Sequence, residues 1–447
     1  MKRIIDTYLQ QWMTSPHRKP LLLRGARQVG KTHAVRALSS RFSSFVEINF
    51  ELTPEAIGVF DKDLDAPRLV RDLSLISGKR IVPGETLLFL DEIQVAPKAV
   101  TSLRYFYEKL DALHIVAAGS HLAFAIDEVG VPVGRITTMT MRPLSFLEFL
   151  CASGNHLLAR EVVRHDPAQP LNAAIHGKAT DLLGQFCAVG GMPESSAAWI
   201  EHQDLEICRR INLDIVKSYR QDLDKYSAKL RVRHAGILFE SIPRQMGTKF
   251  RYHAIHGEYR KSELAPALDL LVKIGVATKV FHSSAQGVPL GGTVNPNVFK
   301  TLFVDCALAQ TMLGLPAGDW ILHARDCLEN KGEMTEAFVG QELLAYQDPY
   351  SDDALYYWHR ESRSSNAEVD YVIQKENSVI PVEVKSGTTG WLRSMHKFLD
   401  EHPASPYGLR FHGGDYHVDG TIRSFPLYAV AGALAVDPVA VEYIAGQ

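Results

Sequence analysis

The sequence predicts an α/β protein whose first 150 residues form a mostly parallel sheet with helices on both faces. Three observations point there. Short apolar runs at 20–24, 45–50, 86–90 and 114–120 are separated by stretches with helical spacing. The run at 86–90 is continuously apolar and ends in the acids Asp91 and Glu92, as expected for a strand covered on both sides. A glycine-containing loop, 25–30, lies between the first run and a helical segment.

Taken in order, 20–24 reads as a short buried strand, and a helix follows from Lys31 to about Arg41. The alternating stretch 45–50 reads as a second strand. The runs 86–90 and 114–120 complete the core of a first domain, 1–150. Residues 151–228 look mainly helical, with an interruption at Gly190, Gly191, Met192 and Pro193, and read as a helical lid. Residues 229–315 suggest a winged-helix module: 262–275 has helical spacing and a glycine stop, 276–281 reads as a strand, and a polar turn runs to Gly287. From Thr335, in a last domain 320–447, the pattern is helix, three strands, helix.

Composition narrows the function classes. With 46% hydrophobic and 22% charged residues over 447 positions, the chain can build several cores. A net charge of −3 gives the whole molecule no pull toward nucleic acid or membrane, so any basic surface must be local. The five cysteines form no CxxC pair, which argues against a disulfide framework or zinc site and for a cytoplasmic protein. No signal peptide or membrane-spanning run is expected.

Gly25, Ala26, Arg27, Gln28, Val29, Gly30, Lys31 and Thr32 have the spacing of a phosphate-binding loop. Such a loop points backbone N–H groups and a lysine at phosphates, and the Thr32 hydroxyl can bind Mg²⁺. Asp91 is the second magnesium partner, and Glu92 orients or deprotonates the attacking water. ATP is the expected nucleotide. Guanine is disfavoured because 330–333, Asn-Lys-Gly-Glu, has glutamate where guanine readers carry aspartate. Ser120 reads either as a γ-phosphate sensor or as a strand-end turn serine, and Arg135 either as a finger on a neighbouring subunit's ATP or as a surface arginine. The finger reading requires a homo-oligomer.

With these residues in view, the chain resembles a family of bacterial and archaeal AAA-type ATPases. In that family a C-terminal domain of uncharacterised function has a restriction-endonuclease-like core. The resemblance also rests on 90–94 (Leu-Asp-Glu-Ile-Gln), 118–120, 134–135, 142–149, 190–194, 335–343, 368–372 and 381–387. It implies an AAA-type core and a nuclease-like α/β end. One departure is Asp305-Cys306, where relatives show Asp-x-Gly, which bears on a local turn.

Within 380–385, Ile380, Val382 and Val384 alternate with Glu383 and Lys385, so the acid and the lysine share a face. With Asp370 and the upstream Glu336 they make the D…ExK arrangement of metal-dependent nucleases. The expectation is that Glu336, Asp370 and Glu383 hold Mg²⁺ while Lys385 steadies water or phosphate. The same residues also suit a module that only binds.

In 229–261, eight cations (Lys229, Arg231, Arg233, Arg244, Lys249, Arg251, Arg260 and Lys261) face two acids, Glu240 and Glu258, a local balance of +6. That segment can bind a DNA backbone. Tyr252 and Tyr259 in it can stack or pack. Two functions fit the whole: an ATP-driven enzyme acting on DNA with a nuclease-like end, or an ATP-dependent switch whose last domain is an inactive docking module.

Overall fold

The computed structural model describes residues 1–119, 134–230, 234–352, 354–360, 367–385, 387 and 392–446, and for 225–230 the backbone alone. The chain divides into two compact units. One is Met1–Arg142 with Asp348–Asp352; the other is Pro143–Gln347 with Asp353–Gln447.

The first unit opens with α1 (Ile4–Thr14), which buries Ile5, Leu9 and Trp12. Strand β1 (Leu21–Arg24) leads into α2 (Lys31–Leu38), which continues as a short 3₁₀ turn to Arg41. Then come β2 (Ser44–Asn49), α3 (Ala66–Ser77), β3 (Thr86–Asp91), α4 (Pro97–Lys109), β4 (His114–Ala118) and β5 (Thr137–Thr140). The sheet order is β2-β3-β4-β1-β5, and every pairing is parallel. Parallel strands joined by helical crossovers are covered on both faces, which is why β3 and the three leucines of β1 are fully buried. On one face, Leu22, Val46, Ile48, Leu88 and Leu90 pack with Leu69, Leu73, Leu103 and Phe106 of α3 and α4. Burying each such side chain stabilises by about 1.5–3 kcal/mol. β1 lies inside the sheet, so the loop after it emerges at the C-terminal strand edge, where α/β folds bind ligands.

The second unit begins with helices α5 (Phe146–Ala152), α6 (His156–Arg164), α7 (Ala173–Val189), α8 (Pro193–His202), α9 (Leu205–Leu230), α10 (Ala235–Ser241) and α11 (Lys261–Lys273). The hairpin β6 (Ala277–Ser283) and β7 (Val294–Phe303) follows, then α12 (Cys306–Leu313), α13 (Gly318–Leu322), α14 (Ala324–Asn330) and α15 (Gly332–Ala345). Strands β8 (Leu355–His359), β9 (Glu368–Lys375) and β10 (Ser378–Lys385), helix α16 (Arg393–Glu401), strands β11 (Gly408–His412), β12 (His417–Asp419) and β13 (Ile422–Pro426), and helices α17 (Val430–Leu434) and α18 (Pro438–Ala445) complete it.

The hairpin departs from the expectation of a free wing. β6 pairs antiparallel with β7 and also parallel with β8, giving one eight-stranded sheet, β12-β13-β11-β10-β9-β8-β6-β7. Segments 229–315 and 320–447, separated in the sequence reading, therefore share a sheet. Ala277, Val280, Phe299, Leu302 and Phe303 of the hairpin are buried. β10 also differs from the half-buried strand its alternation suggests. It is buried from Val379 through Val384, and Glu383 is only 3% exposed.

Two of the sequence stretches meet through buried polar contacts. Asp305 caps α12 by accepting from Leu308 N–H at 3.0 Å, and its other oxygen accepts from Gly191 N–H at 2.7 Å. The Asp305-Cys306 departure thus stands at a helix start that ties down the 190–194 turn. Glu342 of α15 accepts from Phe146 N–H at 2.8 Å, at the start of α5, and from the Tyr346 hydroxyl at 2.7 Å.

Burial pushes the Glu342 carboxyl from an ordinary 4.5 up to about 8. The folded chain then holds a proton that the unfolded chain releases. Its contribution is complete below the unfolded value near 4.5 and is lost as pH rises to about 8. Glu342→Gln keeps the acceptor and removes the titration, so its melting temperature should fall less than the wild type's between pH 5 and 8. Parallel melting curves for the two proteins would contradict this assignment.

Candidate functional site

The loop between β1 and α2 takes its shape from two glycines. Gly25 has φ 143°, and a Cβ there would lie 2.1 Å from the Met141 carbonyl oxygen. Gly30, just before α2, has φ 101°. The loop thus passes against the chain beyond β5, where a side chain would collide with backbone, and delivers Lys31 and Thr32 to the first turn of α2. Arg3 braces it from behind, donating to the Val29 carbonyl at 3.2 Å and the Arg142 carbonyl at 2.8 Å.

Lys31 is buried, and its Nζ donates to the carbonyls of Gly25 at 2.9 Å and Ala26 at 2.8 Å, so it folds back over the loop. Burial draws its ammonium down to about 8, against the pull of Glu92 and Asp91. A polyphosphate would supply the missing negative charge.

At the end of β3, Asp91 accepts from the Thr32 hydroxyl at 3.1 Å and from the Asn49 amide of β2 at 3.3 Å. Burial, then the adjacent Glu92, raises the Asp91 carboxyl above the ordinary aspartate range, a tension that a cation would relieve. Glu92 stands in the left-handed region at φ 52°, and its carboxylate accepts from the Gln94 amide at 2.6 Å. That side chain is thereby held rather than loose. The donor set fits magnesium: a hydroxyl and a carboxylate already in contact, beneath a loop built to admit phosphate. Asn49, Gln94, Arg3 and the Met141 carbonyl were not singled out from sequence. Asn49, at the end of the strand beside β3, was the one whose position signalled a site.

Ser120 lies outside the described residues. Arg135 is 46% exposed at its side chain, and its Nε donates to Glu108 at 3.0 Å, a carboxylate also paired with Arg104 at 3.0 Å.

The second constellation is also assembled, but around a residue not foreseen. Asp370 accepts from Val384 N–H at 2.7 Å, so its carboxylate joins β9 to β10. Glu383 pairs with Lys385 at 2.5 Å on β10. Glu336 meets the ammonium of Lys300 from β7, at 2.8 Å. Lys300 also reaches Glu368 at 2.7 Å and Asp370 at 4.0 Å. Among the described residues, no group of three or more His, Cys, Asp or Glu side chains is placed to hold a metal ion. Of the residues expected to hold Mg²⁺ here, Glu336 pairs with Lys300, Asp370 lies 4.0 Å from it, and Glu383 pairs with Lys385.

Of the basic segment, Lys229, Arg231 and Arg233 lie outside the described side chains. Arg244, Arg251, Arg260 and Lys261 are exposed, and Lys249 is partly so. Tyr252 packs edge-on to Phe250 and Phe299, and Tyr259 packs on His234, so both rings are engaged within the protein. No described helix is long and apolar enough to cross a membrane.

Residues 17–150 match the model of an AAA domain family; 180–319 and 331–430 match two domains of unknown function, DUF8612 and DUF4143. No curated protein matches the chain. Among solved structures, the Walker-type ATPase of Pyrococcus abyssi is 16% identical, with TM-score 0.41, over 69% of this chain and 94% of that one. The Aeropyrum pernix Orc1 protein in complex with DNA is 13% identical, with TM-score 0.27, over 69% and 90%. The PCH-2 protein of C. elegans is 16% identical, with TM-score 0.23, over 48% and 64%. The phosphate-type loop, the parallel sheet and the family match together liken residues 17–150 to an AAA domain.

Proposed function

We propose that this protein binds ATP with magnesium, hydrolyses it, and couples the nucleotide cycle to DNA. The observation carrying the reading is the 3.1 Å contact between Thr32 and Asp91 beneath the glycine loop, with Glu92 next in the chain. Thr32 and Asp91 would hold the magnesium, which neutralises phosphate charge. Lys31 leaves the carbonyls of Gly25 and Ala26 for the phosphates. Glu92, oriented by Gln94, takes the proton of the attacking water. Steady-state phosphate release from ATP by the full chain tests this, and absence of release above background under saturating ATP would sink it.

Arg135 serves in this reading as a finger on a neighbouring copy's ATP. Its exposed, solvent-screened pair with Glu108 is readily exchanged. Arg135→Ala should bind ATP normally and lose turnover, and mixing it with Lys31→Ala should restore part of it. No recovery in the mixture, or a strict monomer in solution, argues against the trans role.

For DNA, the exposed Arg244, Arg251 and Arg260 of the 229–261 segment would meet the phosphate backbone. Replacing all three by Glu should weaken binding to duplex DNA by at least about tenfold at low salt and flatten its salt dependence. Unchanged anisotropy titrations would remove this segment from the interface.

A further inference from the structure

Lys300 occupies an unusual place for a lysine. Its side chain is 3% exposed, on a strand whose neighbours Phe299, Leu302 and Phe303 are also buried. An isolated ammonium there would be strongly unfavourable, since desolvation of a charge outweighs any packing gain from its stem. Its compensation is specific. Glu336 of α15 and Glu368 of β9 each contact Nζ, Asp370 of β9 lies 4.0 Å away, and the Tyr357 ring of β8 lies 5.2 Å beneath it. Burial works against the Lys300 charge, but the surrounding carboxylates outweigh it and hold its ammonium above the ordinary lysine range. Glu336 is pushed up by burial and by Asp370, as expected where carboxylates outnumber the cations among them.

We infer that Lys300 is a built-in counter-charge of this carboxylate cluster and takes the place of a divalent ion among Glu336, Glu368 and Asp370. A divalent ion needs anionic oxygens turned toward it within about 2.0–2.6 Å. Here an oxygen of Glu336 is already committed to the lysine, as is one of Glu368, and an oxygen of Asp370 is committed to the Val384 N–H. An entering cation would also meet the ammonium's repulsion. The arrangement ties β7 to α15 and β9. The inference concerns the second unit alone and stands independently of ATP hydrolysis.

The test counts Mn²⁺ bound to the full chain without nucleotide, by electron paramagnetic resonance, in the wild type and in an Asp370→Asn, Glu383→Gln double variant. The expected result is the same number of bound ions in both. One more ion in the wild type would overturn the inference. Lys300→Met, which keeps the stem and removes the charge, gives a second readout. It should lower the melting temperature in metal-free buffer by on the order of 10 °C, because it leaves buried carboxylates uncompensated. A melting temperature equal to the wild type's would also overturn it. If Lys300→Met fails to fold, the ion count still decides.

Discussion

Lys31→Ala should weaken ATP binding by roughly 10- to 100-fold and abolish turnover. The lysine stands in the first turn of α2, directly after a loop that carries one other cation, Arg27. A charged hydrogen bond to phosphate is worth about 1.5–3 kcal/mol, which sets that range. In the unliganded protein Lys31 satisfies two loop carbonyls, at 2.9 and 2.8 Å, so its loss will also loosen the loop. Titration of a fluorescent ATP analogue, with a melting curve to verify folding, checks this. An unchanged dissociation constant would mean that the phosphates lie elsewhere.

Glu92→Gln should separate binding from chemistry. Glutamine keeps the size of the side chain and can still meet the Gln94 amide, but it cannot take a proton from water. Turnover should fall by roughly 10²- to 10³-fold while ATP affinity stays near the wild-type value. The left-handed backbone at residue 92, φ 52°, is common to both side chains, so the comparison isolates the carboxylate. Wild-type turnover in this variant would transfer the base role to another group.

Most of the first unit was legible in the sequence because β1, β3 and β4 are short apolar runs and β2 alternates, whereas β5, Thr137–Thr140, has no apolar run and was not read as a strand. Leu87 to Leu90 had to be a buried strand, and Asp91 and Glu92 had to emerge at its end. Gly25 and Gly30 were readable by spacing, although the Met141 carbonyl that forbids a side chain at Gly25 lies more than 100 residues away. The second unit was less legible, for two physical reasons. Strand pairing between β6 and β8 joins residues more than 70 positions apart, and no local periodicity encodes such pairing. Lys300 looks like an ordinary surface lysine until Glu336, Glu368 and Asp370 are brought around it, since a lone charge in a strand is normally solvated. The alternation at 380–385 correctly put Glu383 beside Lys385 but did not reveal that both faces of that strand are covered.

The most direct test of the central claim is a single-turnover assay. The full chain, in excess over radiolabelled ATP, is mixed with Mg²⁺, and phosphate is followed alongside bound nucleotide, with an EDTA control. The account predicts that the bound ATP is converted to ADP and phosphate in one Mg²⁺-dependent phase that Glu92→Gln slows. Nucleotide that stays bound and intact in the wild type over many hours, in the presence of Mg²⁺ and DNA, would contradict it.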